Sequence, residues 1–491
     1  MQSELSSHIN YIILRHNYKI SIKERRYDIT LKIIDILCFI LYKKCMIKLS
    51  KYTVISNMEE GMLIYNTKNG AQLFFEKDYD DDDYKLFLEE KYDSMKNNLL
   101  LNLFCVDDDV DETSIVLSSY YKNFYDPTNI SFIIMPNNCC NFSCIYCYQD
   151  HDKKVMTSET AQKFISAIKS YYYEHGIKNF YIEWFGGEPF MSYEMIKKVT
   201  NELNYFFKDK KVNYHYGATT NGSLLTKERL DFLIESKFDY FQITIDGGEK
   251  THDRNRPFIN GEPSWKKIFD NLKLLKTYEE DFNVVIRVNF NDETALTIDE
   301  LLTKISNELD ERFTIFFHSI GKWGGKNDSK LSVIDSSLEP YVMKLFMDEA
   351  IKYNVEPRTN YHYVDPFSRV CYAGMPYHFT LGTDGMLRKC NEEEQELDKF
   401  NIVGTINNEK IEIFIDKWSK FVLPGGHATL EKKCLECKYL PICFGQSCPK
   451  NRVLNNNITC PGDLSIIDDI ILNKYKLYYS RESQNKGKVN K

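Results

Sequence analysis

The chain has 491 residues, 43% of them hydrophobic and 27% charged, with a formal net charge of −8. That length suits two or three domains with a full-sized core, and the acidic balance argues against a nucleic-acid-binding surface, which needs a basic face. Fourteen cysteines without a secretion signal point to a reducing, cytoplasmic setting, where clustered thiols serve metals or catalysis rather than disulfides.

Charges interrupt every apolar stretch near the start, so no signal peptide is expected. The run from Leu31 to Tyr42 carries Lys32 and Asp35 and is far shorter than the roughly 20 residues of a membrane span. It reads as a buried or amphipathic helix. Met46 is a second candidate start, with residues 1–46 then an extension before the first domain. KYTVISN, GMLIYNT and GAQLFFE read as strands joined by Glu-Gly and Asn-Gly turns. Helices are expected over Tyr84–Phe104 and Glu112–Tyr125, completing an α+β domain over 47–125. The acidic runs Asp78–Asp83 and Asp107–Glu112 read as solvated loops.

The apolar strand ISFIIMP then leads into CCNFSCIYCYQD. Cys140, Cys144 and Cys147 have the spacing C-x3-C-x2-C. A structural zinc closes its shell with four ligands, and a [4Fe–4S] cluster is also normally held by four cysteines. Three thiols on one loop would leave one iron open to a reactive ligand. Zinc would need a fourth donor; His151 is a candidate but follows very closely. Cys38, Cys45, Cys105 and Cys139 read as ordinary core cysteines. Strand-like runs next end in polar groups: WFGGEPF, ATTNGSLLT, FQITIDGGEKTHDRNRPF and VVIRVNF. Helical patterns, including Ser158–Glu174 and Ser264–Glu280, alternate with them. Such alternation predicts a parallel sheet with function at the strands' C-terminal ends. The paired glycines Gly186 and Gly187 let backbone approach a ligand closely.

Seven cysteines follow: Cys371 and Cys390, then Cys434, Cys437, Cys443 and Cys448 as C-x2-C-x5-C-x4-C, then Cys460. CLEC alone would suit half a zinc ribbon; seven in this order are more specific. The last twelve residues are polar and expected to be disordered.

CNFSCIYCY, WFGGEP, TTNG, TIDG…HDRNR and IRVN together resemble the radical S-adenosylmethionine (SAM) superfamily over roughly residues 130 to 320. The resemblance implies an α/β fold, a partial (β/α)6 TIM-type barrel over 126–325. Cys140, Cys144 and Cys147 would ligate a [4Fe–4S] cluster whose open iron chelates SAM. Gly186, Gly187 and Glu188 would lie beside the SAM amino group, Thr220 and Thr244 would hydrogen-bond the ligand, and Arg287 would pair with its carboxylate.

After a connecting region (326–367), the C-terminal cysteines resemble the SPASM extension over 368–466, which carries auxiliary iron–sulfur clusters; a helix and tail fill 467–491. One departure is FGQS, which puts four residues where the general pattern has three. By the resemblance, Cys434, Cys437, Cys443 and Cys460 would hold one cluster. Cys371, Cys390 and Cys448 would hold another with one open position, for a substrate thiolate, another protein ligand or water. The N-terminal domain resembles leader-peptide recognition modules that bind by strand addition; a structural cap on the barrel is the alternative.

The expected activity is reductive cleavage of SAM and oxidative modification of a peptide, with thioether formation from a substrate cysteine foremost. The expected partners are a precursor peptide and a flavodoxin- or ferredoxin-type electron donor, with no nucleic acid and no membrane. A rival is the sulfatase-maturating branch, which forms formylglycine and carries an Asp base after the second SPASM cysteine. Asn391 stands there and cannot take a proton. A non-catalytic metal-binding regulatory protein is the third reading.

Overall fold

The computed structural model describes residues 47–59, 61–76, 104–322, 327–335, 337–358, 365–392, 399–424, 430–458 and 460–473. The extension before Met46, nearly all of the helix expected over Tyr84–Phe104, the first acidic run, Cys38, Cys45 and the polar tail lie outside these residues. The chain divides into two compact units, each described by itself.

One unit comprises the chain through Tyr121 together with segments ending at Arg369 and Gly445. Strands β2 (Thr53–Asn57), β3 (Gly61–Asn66) and β4 (Gln72–Glu76) form an antiparallel meander. The predicted Asn-Gly turn closes the second hairpin: Asn66 N donates to Ala71 O at 2.8 Å, with Gly70 at φ 74°. Short strands β1 (Ile47–Leu49) and β5 (Cys105–Asp107) pair antiparallel. The helix Glu112–Phe124 begins on a buried carboxylate. Glu112 accepts from Ser50 Oγ at 2.6 Å, Lys51 N at 2.9 Å and Lys68 Nζ at 2.9 Å. So the last residue of the second acidic run is structural, not a solvated loop residue. Cys434, Cys437 and Cys443 lie in this unit.

The other unit holds the barrel. Strands β6 (Asn129–Ile134), β7 (Asn179–Trp184), β8 (Asn213–Thr220), β9 (Phe238–Thr244), β10 (Asn283–Phe290) and β11 (Phe313–Ser319) lie side by side in chain order, all parallel. Helices return the chain between them, among them Ser158–His175, Tyr193–Phe207, Lys227–Glu235, Trp265–Lys276 and Ile298–Glu308. The fold is therefore α/β, a partial (β/α)6 barrel. Strand β12 (His378–Leu381) pairs parallel to β6, and β13 (Met386–Arg388), β14 (Ile402–Asn407) and β15 (Lys410–Ile413) continue the sheet antiparallel.

Local sequence explains the helix boundaries. Thr157 caps the Ser158–His175 helix by accepting from Thr160 N, and Gly176 ends it at φ 70°. Ala161, Phe164, Ile165 and Ile168 recur on the face it buries. In β7 the side chains alternate, so Phe180, Ile182 and Trp184 pack outward into the helix layer. Tyr181, Glu183 and Phe185 take the opposite face. The barrel floor needs Gly217: a Cβ there would meet Tyr181 Oη at 2.2 Å.

Candidate active site

The cysteine loop follows β6 and is held by the strand ends around it. Gly186 and Gly187 allow the closest approach. Added Cβ atoms would meet Asn137 O at 2.3 Å and Cys139 O at 2.1 Å. In their absence Glu188 N donates to Cys139 O at 2.7 Å. Asn137 Nδ2 returns a bond to Glu188 O at 3.1 Å. The glycine pair thus fixes the chain into the thiol loop, whatever ligand it also admits.

The Glu188 carboxylate is fully buried. It accepts from Phe190 N (3.0 Å), Asn221 N (2.8 Å) and Thr220 Oγ1 (2.8 Å and 2.9 Å). Glu188 and Thr220 therefore tie the end of β7 to the end of β8.

Tyr146, between the second and third cysteines, anchors the loop from the other side. Its hydroxyl donates to Asp246 Oδ2 and accepts from Arg256 Nη1 at 2.7 Å and Asn289 Nδ2 at 3.0 Å, which uses its full capacity. Asn289 N donates to Asp246 Oδ1 at 2.8 Å. Behind Asp246, His252 Nδ1 accepts from Asp246 N at 3.0 Å, so Nε2 carries the proton toward Ser264 Oγ at 3.0 Å. Ser264 Oγ in turn donates to Arg256 O at 2.6 Å. Burial holds the His252 pKa well below the usual range, keeping the ring neutral. Burial works against the Arg256 charge, but Cys144, Tyr146 and Asp246 outweigh it.

These groups surround one cavity of about 480 Å³. Cys140, Cys144, Cys147, Gly186, Gly187, Thr220, Thr244 and Arg287 all line it; of the residues predicted for this site, only Glu188 does not. Burial first, then the backbone and the neighbouring Cys144, Glu188 and Cys147, set the Cys140 thiol at about 12. His151 lies close to the loop, with Nε2 3.2 Å from Cys147 Sγ. Among the described residues, no three His, Cys, Asp or Glu side chains converge tightly enough to grip a single metal ion.

Comparison with known proteins follows the same lines. The radical SAM superfamily profile matches residues 134–305. Residues 134–305 are a radical SAM domain. The chain is 24% identical over 357 residues to a cysteine-type anaerobic sulfatase-maturating enzyme of Clostridium novyi (strain NT), covering 68% of this chain and 92% of that one. It is 27% identical over 350 residues to a serine-type anaerobic sulfatase-maturating enzyme of Bacteroides thetaiotaomicron, covering 64% and 80%. The solved structure of native anSMEcpe with bound AdoMet and Cp18Cys peptide superposes with a TM-score of 0.55 at 18% identity, over 72% of this chain and 99% of that one. That likeness is one of fold. The protein is thus a radical SAM enzyme, which sets aside the non-catalytic reading.

A radical SAM enzyme uses a [4Fe–4S] cluster and SAM, and the residues present fit both. Three thiols share the cavity wall. Arg256 Nε is buried there without a partner. Arg287 also lines the cavity, with Nε bonded to Asn289 Oδ1 at 2.9 Å and, among the described residues, no ion pair. Burial lowers its pKa without discharging it. Asp246 acts on Arg287 only at a distance, and a buried guanidinium with no carboxylate bonded directly to it suits a ligand carboxylate.

Tyr146, Asp246 and Arg256 were not assigned from sequence, although CIYCY, TIDG and HDRNR contain them. Their signal was a polar residue inside each motif with no stated task. Glu183, Gln242 and His318 also line the cavity and lay outside the motifs, and Thr219, inside TTNG, was given no role.

Of the C-terminal cysteines, Cys371, Cys390, Cys448 and Cys460 belong to the barrel's unit. Burial, then Cys390, then the backbone and Cys448, bring the Cys371 thiol to about 12. Asn401 clamps Cys390 by accepting from its N–H at 2.9 Å and donating to its carbonyl at 2.8 Å. Tyr372, Asn391 and Glu392, chain neighbours of Cys371 and Cys390, line the same cavity as the first cysteine loop. Cys460 is exposed, and Cys105 is buried as expected.

Proposed function

We propose that the protein is a radical SAM/SPASM enzyme that oxidatively cross-links a ribosomally made peptide, forming a thioether from a substrate cysteine. The observation that carries this reading is the single cavity lined both by the three-thiol loop and by the residues flanking Cys371 and Cys390. A substrate there would face both cysteine regions at once.

Cys140, Cys144 and Cys147 would hold the SAM-binding [4Fe–4S] cluster; Gly186, Gly187, Thr244 and Arg287 would contact SAM. Cys371, Cys390 and Cys448 would hold an auxiliary cluster with one open position. Cys434, Cys437, Cys443 and Cys460 are assigned to a second by the family pattern alone. When bound, the cluster and SAM supply a carbon radical able to take hydrogen from an unactivated C–H bond. The protein's own work is to hold SAM by Arg287, exclude bulk water from the barrel and position the peptide. An external flavodoxin- or ferredoxin-type protein would deliver electrons. The three-stranded sheet of the N-terminal unit would offer an edge for a leader strand.

A second reading is formylglycine formation on a sulfatase, favoured by the sulfatase-maturating relatives. Against it stands Asn391, whose Oδ1 accepts from Tyr372 Oη in the cavity where that branch has a carboxylate.

Anaerobic reconstitution followed by SAM, dithionite and either a cysteine-bearing precursor peptide or a sulfatase-derived peptide separates the two. Cross-linking yields a product short of two hydrogens that no longer reacts with thiol reagents. Formylglycine formation yields an aldehyde trapped by a hydrazine. Failure to release 5′-deoxyadenosine under any condition would remove both.

A further inference from the structure

One part of the cavity is not used by the groups assigned to SAM. Strand β7 places Glu183 there, three positions before Gly186. Thr219 Oγ1 donates to Glu183 Oε1 at 2.6 Å, and Gln242 Nε2 lies 3.4 Å from that hydroxyl. Among the described residues Glu183 has no other hydrogen bond and no ion pair. Burial raises its pKa, the Thr219 bond opposes this, and no cation acts on it.

Every other carboxylate nearby is engaged. Glu188 is saturated by Phe190, Asn221 and Thr220. Asp246 is held by Tyr146 and Asn289. Glu392 is paired with Lys450 Nζ. Asn391, a neutral amide, cannot take up a proton.

Of the other titratable side chains that line the cavity or adjoin Glu183, His151 has both ring nitrogens engaged at the thiol loop, Nε2 3.2 Å from Cys147 Sγ and Nδ1 3.3 Å from Asn138 O. Burial drops His318 and His378 to about 3. Tyr181 and Tyr240, which adjoin Glu183 at the floor, are pushed far up by burial and stay protonated. Arg256 and Arg287 are cations, and the cavity thiols belong to the cluster.

We propose that Glu183 is the catalytic base, accepting the thiol proton of the substrate cysteine as that side chain enters the cavity. This rests on the cross-linking reading above. In the step the S–H bond breaks, a Glu183 O–H bond forms, and the electron pair stays on sulfur as thiolate. No electron is lost here; the oxidation belongs to the SAM and iron–sulfur chemistry. Thr219 fixes one carboxylate oxygen and leaves the other for the thiol. With no cation beside it, the carboxylate is a stronger base than any ion-paired one in the cavity.

The test uses the full chain, cluster-reconstituted, as wild type, E183Q and E183D. The probe is a cysteine-bearing peptide that the wild type converts, deuterated at the carbon to be bonded. Cross-linked product per 5′-deoxyadenosine and deuterium transfer into 5′-deoxyadenosine are read together across pH. In E183Q product per 5′-deoxyadenosine falls about 100-fold while deuterium still reaches the nucleoside. E183D restores part of the product, and the acid limb of the wild-type profile disappears in E183Q. A wild-type ratio in E183Q overturns the assignment. So does joint loss of deuterium transfer and product that E183D does not relieve, which marks a structural role. A wild type that releases 5′-deoxyadenosine yet cross-links no cysteine-bearing peptide overturns the cross-linking reading itself, and this base with it.

Discussion

The two thiol trios of the barrel's unit sit in different electrostatic surroundings. Around Cys140, Cys144 and Cys147 stand Arg256, Arg287 and Asp246, linked through Tyr146 and Asn289. Around Cys371, Cys390 and Cys448 stand amides, Asn401 on the Cys390 backbone and Asn391, the Gln446 backbone carbonyl accepting from Cys371 N at 3.0 Å, and one ion pair, Glu392 with Lys450, whose charges cancel. Even Lys389, fully buried beside Cys390, is driven toward the neutral amine by burial. The first environment suits a ligand with a formal charge at each end. The second suits a site whose charge changes only by an electron or a thiolate. Charge, more than thiol count, separates the two.

Removing one thiol from each trio gives the largest effect and breaks the comparison if the two behave alike. Cys144→Ala is expected to abolish 5′-deoxyadenosine formation. Cys371→Ala is expected to retain measurable cleavage while losing peptide product. Anaerobic assays with iron and sulfide quantitation check both. Equal loss of cleavage in the two variants would mean the second trio supports SAM chemistry directly.

Next comes the charged wall. Arg287→Lys keeps a cation but loses the planar fork, so SAM affinity should weaken about 10-fold, roughly 1.4 kcal/mol. Equilibrium binding of SAM to the reconstituted variant measures it. In the second trio, Asn401→Ala leaves the Cys390 N–H and carbonyl unpaired, while Lys389 N keeps its 3.3 Å bond to the residue 401 carbonyl. It should destabilise the fold by about 1–3 kcal/mol per group left unsatisfied, read by denaturant unfolding. An unchanged midpoint would show that the amide clamp does not hold Cys390.

How much of this the sequence disclosed depends on which interactions are local. The thiol spacing, the strand ends and the parallel order were legible because each is written in a short run. β7 ends at Trp184, where the run WFGGEPF begins, and the Gly186–Gly187 turn falls where backbone must pass close to Cys139. Tyr146, Asp246, Arg256 and Asn289 come together from four separate segments, so no local pattern could join them. Glu112 lay in an acidic run that reads as a surface, yet Lys68 and Ser50 bury it. Glu183 was hidden by strand alternation. A polar residue on an apolar strand usually faces water, whereas here the inward face of the barrel is itself polar.

The smallest expected effect concerns pH, because each trio also has a buried neutral histidine nearby. His252 backs the Tyr146–Asp246 network, and His378 stacks near Tyr372 with ring centroids 4.9 Å apart. Both pKa values are held down in the folded protein by burial, His378 to about 3. The unfolded chain binds these protons near the ordinary histidine value of about 6.5. Below that pH the unfolded state therefore holds more protons, and stability must fall as pH falls. The loss is about 1.4 kcal/mol per pH unit for each such histidine until its folded pKa is reached. His378→Phe keeps the ring against Tyr372 and removes one titrating group whose Nε2 has no partner. Denaturant unfolding between pH 7 and 5 should show a flatter slope in that variant, by about one proton. Each ring also holds a bond through Nδ1, His378 with Ser131 Oγ at 2.8 Å and His252 with the Asp246 amide at 3.0 Å, so both substitutions should lower stability at pH 7, and His252→Phe should flatten the slope equally. If both variants keep the wild-type slope, the two histidines take up protons in the folded protein as readily as in the unfolded chain, and burial does not hold them neutral.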